Sequence, residues 1–142
     1  MPIENMGRII AIDYGRKRVG IAVSDPLKII AGGLTTVETN KTIPFLEQYI
    51  KSEKIECIVI GKPKQMNNQE SENMRWIRPF YAELKKKFPD IRIEYYDERF
   101  TSVLAHKAMI EGGLKKKDRQ NKALVDEISA VIILQSYLEY KK

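Results

Sequence analysis

Several residue types that often carry chemistry are nearly missing from this chain. Its 142 residues include one cysteine (Cys57), one histidine (His106) and one tryptophan (Trp76). A single cysteine excludes an internal disulfide framework and suits a reducing compartment. Cys57 lies in the apolar run Ile55 to Ile60, so it reads as a small core side chain rather than a nucleophile. A zinc site built from one cysteine and one histidine is disfavoured for the same reason. No apolar stretch of signal-peptide length opens the chain, and none approaches the ~20 residues of a membrane span. The expected location is the cytoplasm, with no membrane partner. Linkers, repeats and low-complexity tracts are also missing. The sequence, 1–142, therefore reads as one domain, large enough to bury about two-thirds of its unfolded surface.

Positive charge is what the chain has in excess. Lysine and arginine number 25 against 19 acidic residues, giving +6 and a pI near 9.3. That balance favours polyanions through phosphate contacts and counterion release. The cations cluster at Arg16–Lys17–Arg18, Lys62/Lys64, Lys85–Lys86–Lys87 and Lys115–Lys116–Lys117/Arg119. The Lys85 to Lys87 run reads as a solvated helix end, where cations suit the helix dipole. The other clusters fall at expected turns and loops near acidic residues.

Periodicity predicts the elements. Arg8 to Asp13 is a short apolar run, hence a buried strand; Tyr14 to Lys17 form a turn, and Val19 to Ser24 the second strand of a hairpin. A third short strand is expected at Leu34 to Glu38, after the Gly32–Gly33 break, with Thr39 or Asn40 capping an amphipathic helix. Ile55 to Gly61 reads as a strand, Ser71 to Phe88 as a helix, and Ile91 to Tyr96 as an alternating strand. Thr101 to Glu111 is helical and stops at Gly112–Gly113. A basic loop then precedes an apolar helix, Ala123 to Leu138. Hairpin first and α/β crossovers later imply an α/β fold, a mixed five-stranded sheet flanked by helices.

The acidic residues are placed unusually for such a sheet. Asp13 ends the first strand and Asp97–Glu98 end the last. If those strands are parallel, both sets of acids share the rim where open α/β sheets do their chemistry. Asp126 and Glu127 both fall on the apolar arc near the start of the last helix, and periodicity alone does not choose between them. A carboxylate facing a core needs a partner, since an unpaired buried charge is costly. Hard divalent cations take oxygen ligands, and two of them about 4 Å apart can activate water and stabilise a leaving oxygen. If the strand Ile55 to Gly61 lies between the other two, Asp13 and Glu98 start about 10 Å apart, and their side chains must reach inward.

These segments together resemble a known family. They are Ile12-Asp13-Tyr14-Gly15-Arg16-Lys17-Arg18-Val19-Gly20-Ile21-Ala22-Val23-Ser24-Asp25, Ile58-Val59-Ile60-Gly61-Lys62-Pro63, Asp97-Glu98-Arg99-Phe100-Thr101-Ser102 and Val125-Asp126-Glu127-Ile128-Ser129-Ala130. In order and spacing they resemble the YqgF family, also called RuvX, of ribonuclease H-like Holliday-junction resolvases and pre-ribosomal-RNA nucleases. The resemblance implies a ribonuclease H-like fold and a catalytic, metal-holding triad of Asp13, Glu98 and Asp126, with Asp97 as structural support. It also implies two Mg2+ or Mn2+ ions. The implied activity is hydrolysis of phosphodiester bonds, with processing of the 5′ end of the pre-16S ribosomal RNA as the expected role. Holliday-junction resolution on branched DNA is the alternative. Nucleic-acid contacts are expected from Arg16, Lys17, Arg18, Lys62, Lys64, Arg99 and Arg119, with RNA the favoured partner. The loop Gly61-Lys62-Pro63-Lys64-Gln65-Met66-Asn67-Asn68 departs from the family's glycine-leucine-proline and asparagine-methionine-aspartate-glycine pattern by adding lysines and lacking the aspartate.

Two rivals come from other classes. An actin-like or sugar-kinase-like ATPase also carries an aspartate-x-glycine hairpin, but it needs two large lobes, which 142 residues do not supply. A catalytically silent RNA-binding assembly factor would gain nothing from anions facing phosphate. Trp76, Tyr95 and Tyr96 are expected in the core rather than on bases, and His106 in a surface or capping role. The oligomeric state is expected to be a monomer or a weak dimer.

Overall fold

The computed structural model describes residues 7–63, 72–97 and 122–140. Its sheet has five strands in the order β3-β2-β1-β4-β5. They are β1 (Arg8–Tyr14), β2 (Arg18–Ser24), β3 (Ala31–Glu38), β4 (Ile55–Lys62) and β5 (Arg92–Asp97). The first three form an antiparallel meander, and β4 and β5 extend the sheet in parallel with β1. This is the expected mixed sheet, with β4 between the two strands that end in acids.

Each face of the sheet carries its own core. One face buries Ile10, Ile12, Val19, Ile21, Ile58 and Ile60 against α1 (Thr42–Ser52) and α2 (Met74–Lys87). The other buries Ile9, Ala11, Ala22, Cys57 and Val59 against α3 (Lys122–Tyr140). Coverage on both sides explains why β1 and β4 read as continuous apolar runs instead of alternating ones. The two faces differ in bulk. Isoleucines dominate beneath α1 and α2, whereas Ala11, Gly20 and Ala22 line the hairpin beneath α3. Small side chains let the α3 backbone come close.

Two local expectations are corrected. The third strand begins at Ala31 and runs through Gly32–Gly33, because the Glu127 side chain occupies the space where a Cβ of Gly33 would stand. Helix α1 has no side-chain cap; Thr39 lies in a 3-10 turn (Thr39–Lys41) before it. Instead of capping, Thr39 Oγ1 donates to the Gly15 carbonyl at 2.6 Å and ties the turn to the hairpin tip. The helix expected at Thr101 to Glu111 lies outside the described residues. Among the described residues, no helix is long and apolar enough to cross a membrane.

Candidate active site

Asp13 and Asp97 leave the sheet at the same rim, since β1 and β5 both run parallel to β4. Alternation places Asp13 on the α3 side, in series with Ile9 and Ala11. Directly across the hairpin, Asp13 pairs with Gly20. A side chain at Gly20 would overlap the Asp126 carbonyl oxygen, so the first turns of α3 rest on bare backbone there. This brings the main chain of Asp126 beside the strand pair that bears Asp13.

The same packing separates the two acids that periodicity left equivalent. Glu127 lies over Gly33 on β3, away from the rim. Asp126 points to the hairpin tip, where its Oδ2 accepts from Arg18 Nε at 2.9 Å. Both side chains are about a third exposed, at 35% and 27%. Gly15, Arg16, Lys17, Arg18 and Asp126 line a cavity of about 500 Å³. Arg18, expected among the phosphate contacts, is thus paired with a carboxylate. Arg16 and Lys17 are exposed on the tip, as a phosphate-binding role requires. Lys62 lies at the end of β4 with its Nζ 5.6 Å from the Tyr95 ring centroid. Glu98, Lys64, Arg99, Arg119 and His106 lie outside the described residues.

The Asp126 main chain thus lies beside the strand pair that bears Asp13, while the Asp126 carboxylate is engaged by the Arg18 guanidinium. Among the described residues no cluster of three or more ligating side chains forms. Asp13 and Asp126 supply two of the three acids implied by the resemblance, and the third, Glu98, follows Asp97 in sequence. The chemistry of this donor set, all carboxylate oxygen, fits magnesium or manganese better than a thiophilic metal.

Cys57 behaves as the core residue expected of it. It is fully buried under α3, and burial pushes its thiol up to about 11. Its Sγ donates to Glu94 Oε2 at 3.4 Å, and that carboxylate also accepts from the Tyr137 hydroxyl and from Arg92 Nε at 3.2 Å. Burial alone would raise the pKa of Glu94, but these donors and the Arg92 charge outweigh it and hold the group below its ordinary value. Trp76 corrects an expectation. It stands 42% exposed on α2 instead of in the core, whereas Tyr96 is buried and Tyr95 is half-buried, stacked on Tyr81. The signal for Trp76 was its place in α2: Met74, Ile77, Phe80 and Leu84 take the core stripe and leave position 76 outside it.

Comparison with known proteins identifies the family and the fold. Residues 7–140 match the family model of RuvX, described as a Holliday junction resolvase. A protein of Phocaeicola vulgatus, provisionally named a pre-16S rRNA nuclease, is 69% identical over 137 residues, covering 96% of this chain and 99% of that one. A protein of the same name from Flavobacterium psychrophilum is 56% identical over 136 residues, with 96% and 99% covered. Among solved structures, Thermus thermophilus RuvC in complex with a Holliday junction substrate superposes with a TM-score of 0.61 at 15% identity, covering 95% of this chain and 94% of that one. A further RuvC structure gives 0.57 at 14% identity, with 94% and 96% covered. At such identities the likeness speaks for the fold, which is ribonuclease H-like. By the match over nearly its whole length and by its identity to these relatives, the chain belongs to the RuvX family.

Proposed function

We propose that the protein is a metal-dependent nuclease that processes the 5′ end of the pre-16S ribosomal RNA. The observation that carries this reading is the seating of Asp126 on Gly20, the cross-strand partner of Asp13. A fold that merely bound RNA would gain nothing by gathering carboxylates at a basic rim, where they repel phosphate. The relatives' shared name supplies the substrate class.

Asp13, Asp126 and Glu98 would hold Mg2+ or Mn2+. When bound, such ions would lower the pKa of the attacking water and offset charge on the leaving oxygen. The chain's own groups have separate tasks. Asp13, fixed at a strand end, gives the site a rigid floor. Arg18 holds Asp126 in position until a cation competes for its oxygen. Arg16 and Lys17, exposed on the tip, are placed to take phosphates on either side of the scissile bond.

Junction resolution is the second reading, favoured by the family description and compatible with the same hydrolysis. One experiment addresses both. Labelled RNA spanning a ribosomal precursor end and a four-way DNA junction are each incubated with protein across a magnesium and manganese titration. The expected result is metal-dependent cleavage of the RNA that disappears in Asp13→Asn while RNA binding persists. Cleavage of the junction alone would shift the assignment to resolution. Equal binding by both proteins with no cleavage of either substrate would defeat the enzyme reading.

A further inference from the structure

Behind the hairpin tip, on the side of the sheet opposite the acids, is a feature that the catalytic proposal does not use. Two guanidinium groups lie against the exposed Trp76 indole, Arg75 Cζ at 5.4 Å and Arg16 Cζ at 5.5 Å from a ring centroid. Beside the indole a groove of about 710 Å³ runs between α1 and α2. Its lining mixes apolar Ile43, Pro44 and Phe80 with polar Asn40 and Glu83. Small-molecule pockets span roughly 300–1,000 Å³, so a nucleoside fits this volume.

The charge pattern identifies which part of a nucleotide belongs where. Within the groove, Glu47 is taken up by Lys87 at 3.1 Å and Arg75 pairs with Glu72 at 3.8 Å, so the two acids of the lining, Glu47 and Glu83, match its two cations in number. That lining is close to neutral and suits a base edge rather than a phosphate. Among the described residues, cations without an ion-pair partner stand at the tip instead, where Arg16 and Lys17 are exposed. Arg16 belongs to both neighbourhoods, since it touches Trp76 and also lines the cavity with Asp126.

The indole is also held in fixed relation to the catalytic rim. Asn73, just before α2, donates from Nδ2 to the Tyr14 carbonyl at 3.2 Å. The Tyr14 ring packs on Phe80 with centroids 4.7 Å apart. Tyr14 directly follows Asp13, so the start of α2 is pinned to the strand end that carries the first acid.

We propose that Trp76, with Arg16 and Arg75, is a stacking subsite for one base of a single-stranded nucleic acid whose strand crosses the hairpin tip. This rests on the nuclease reading and narrows its substrate to one with an unpaired flank. The incoming base replaces Arg16 on the indole, and the released guanidinium moves to the adjoining phosphate. Aromatic platforms take any base by its π-face, whereas a continuous duplex offers none. The subsite therefore selects strandedness, not sequence.

Trp76 is the sole tryptophan, so its emission reports on the subsite directly. The experiment uses the full chain carrying Asp13→Asn, to prevent cleavage, and an oligoribonucleotide of about eight nucleotides. Binding is read by anisotropy of a labelled strand and stacking by indole emission with the unlabelled strand. Emission should be quenched in parallel with binding, while a blunt duplex of the same sequence binds without quenching. Adding Trp76→Ala should weaken single-strand binding about tenfold or more, and Trp76→Phe should hold it within a few-fold. Circular dichroism checks that both variants are folded. Single-strand binding without quenching, or undiminished binding by Trp76→Ala, would overturn the subsite and leave the nuclease reading intact. If neither strand nor duplex raises the anisotropy, the nucleic-acid reading falls and takes the subsite with it.

Discussion

Arg18 and Asp126 meet across 108 positions of sequence, and their pair sets the resting state of the site. Exposed pairs of this kind are worth at most about 1 kcal/mol, so Arg18→Gln should barely move the urea midpoint. Its effect should appear in metal binding. With its competitor gone, Asp126 should bind Mg2+ or Mn2+ more tightly by calorimetry, and unchanged affinity would show that the pair does not occlude the metal position. Gly20 is the opposite case. Any side chain there meets the Asp126 carbonyl oxygen, which belongs to a helix that cannot yield locally. Gly20→Ala should cost about 1–3 kcal/mol in urea unfolding and reduce cleavage further, because the strain falls on the proposed catalytic rim.

Cys57 provides a pH test at the same scale. Its thiol is raised from 9.0 to about 11 in the folded chain, chiefly by burial. Between those values the unfolded chain releases a proton that the folded chain keeps. Stability from this group is thus fully present below pH 9.0 and lost as the pH climbs toward about 11. In denaturation series over that window, Cys57→Ala should lose less stability with rising pH than the parent.

The contact that builds the site is a helix laid on a hairpin, and it depends on the smallness of Ala11, Gly20, Ala22 and Ala130. Replacing Ala22 by leucine should lift the start of α3 from the sheet, at a cost of about 1–3 kcal/mol. Cleavage should fall by more than the folded fraction accounts for, as measured at a temperature where the variant is fully folded. At this scale most of the molecule was legible. Ile9 to Ile12 and Ile55 to Ile60 announced buried strands, and Met74, Ile77, Phe80 and Leu84 spelled the buried stripe of α2. The start of β3 was not legible, because Gly32–Gly33 resembles a loop until Glu127, nearly a hundred positions away, is seen to need the space. The resemblance chose Asp126 over Glu127, but the physical reason for the choice was hidden in the same way. Helix periodicity places both on one arc, and only the hairpin beneath separates them. Trp76 was misread because composition favours burial of large aromatics, while its exposure is set by helical phase.

For the whole molecule the relevant quantity is charge. A net +6 predicts nucleic-acid binding that weakens steeply with salt. Each cation neutralising a phosphate on a single strand adds about 0.7 to the slope of log K against log salt. The double substitution Arg16→Gln with Lys17→Gln should therefore flatten that slope by about 1.4, read from anisotropy titrations across a salt series. A slope equal to the parent's would remove the hairpin tip from the binding surface.

The joining of β1 and β2 to α3 also has a consequence for the making of the protein. Asp13 is synthesised more than a hundred residues ahead of Asp126, and domains assemble as their segments emerge during translation. A nascent polypeptide stopped between residues 24 and 126 holds the hairpin but not the acid that docks on it. Under the nuclease reading, cutting capacity therefore requires that Asp126 has been made. On that reading, a copy without it, still tethered among ribosomal RNA, does not cut.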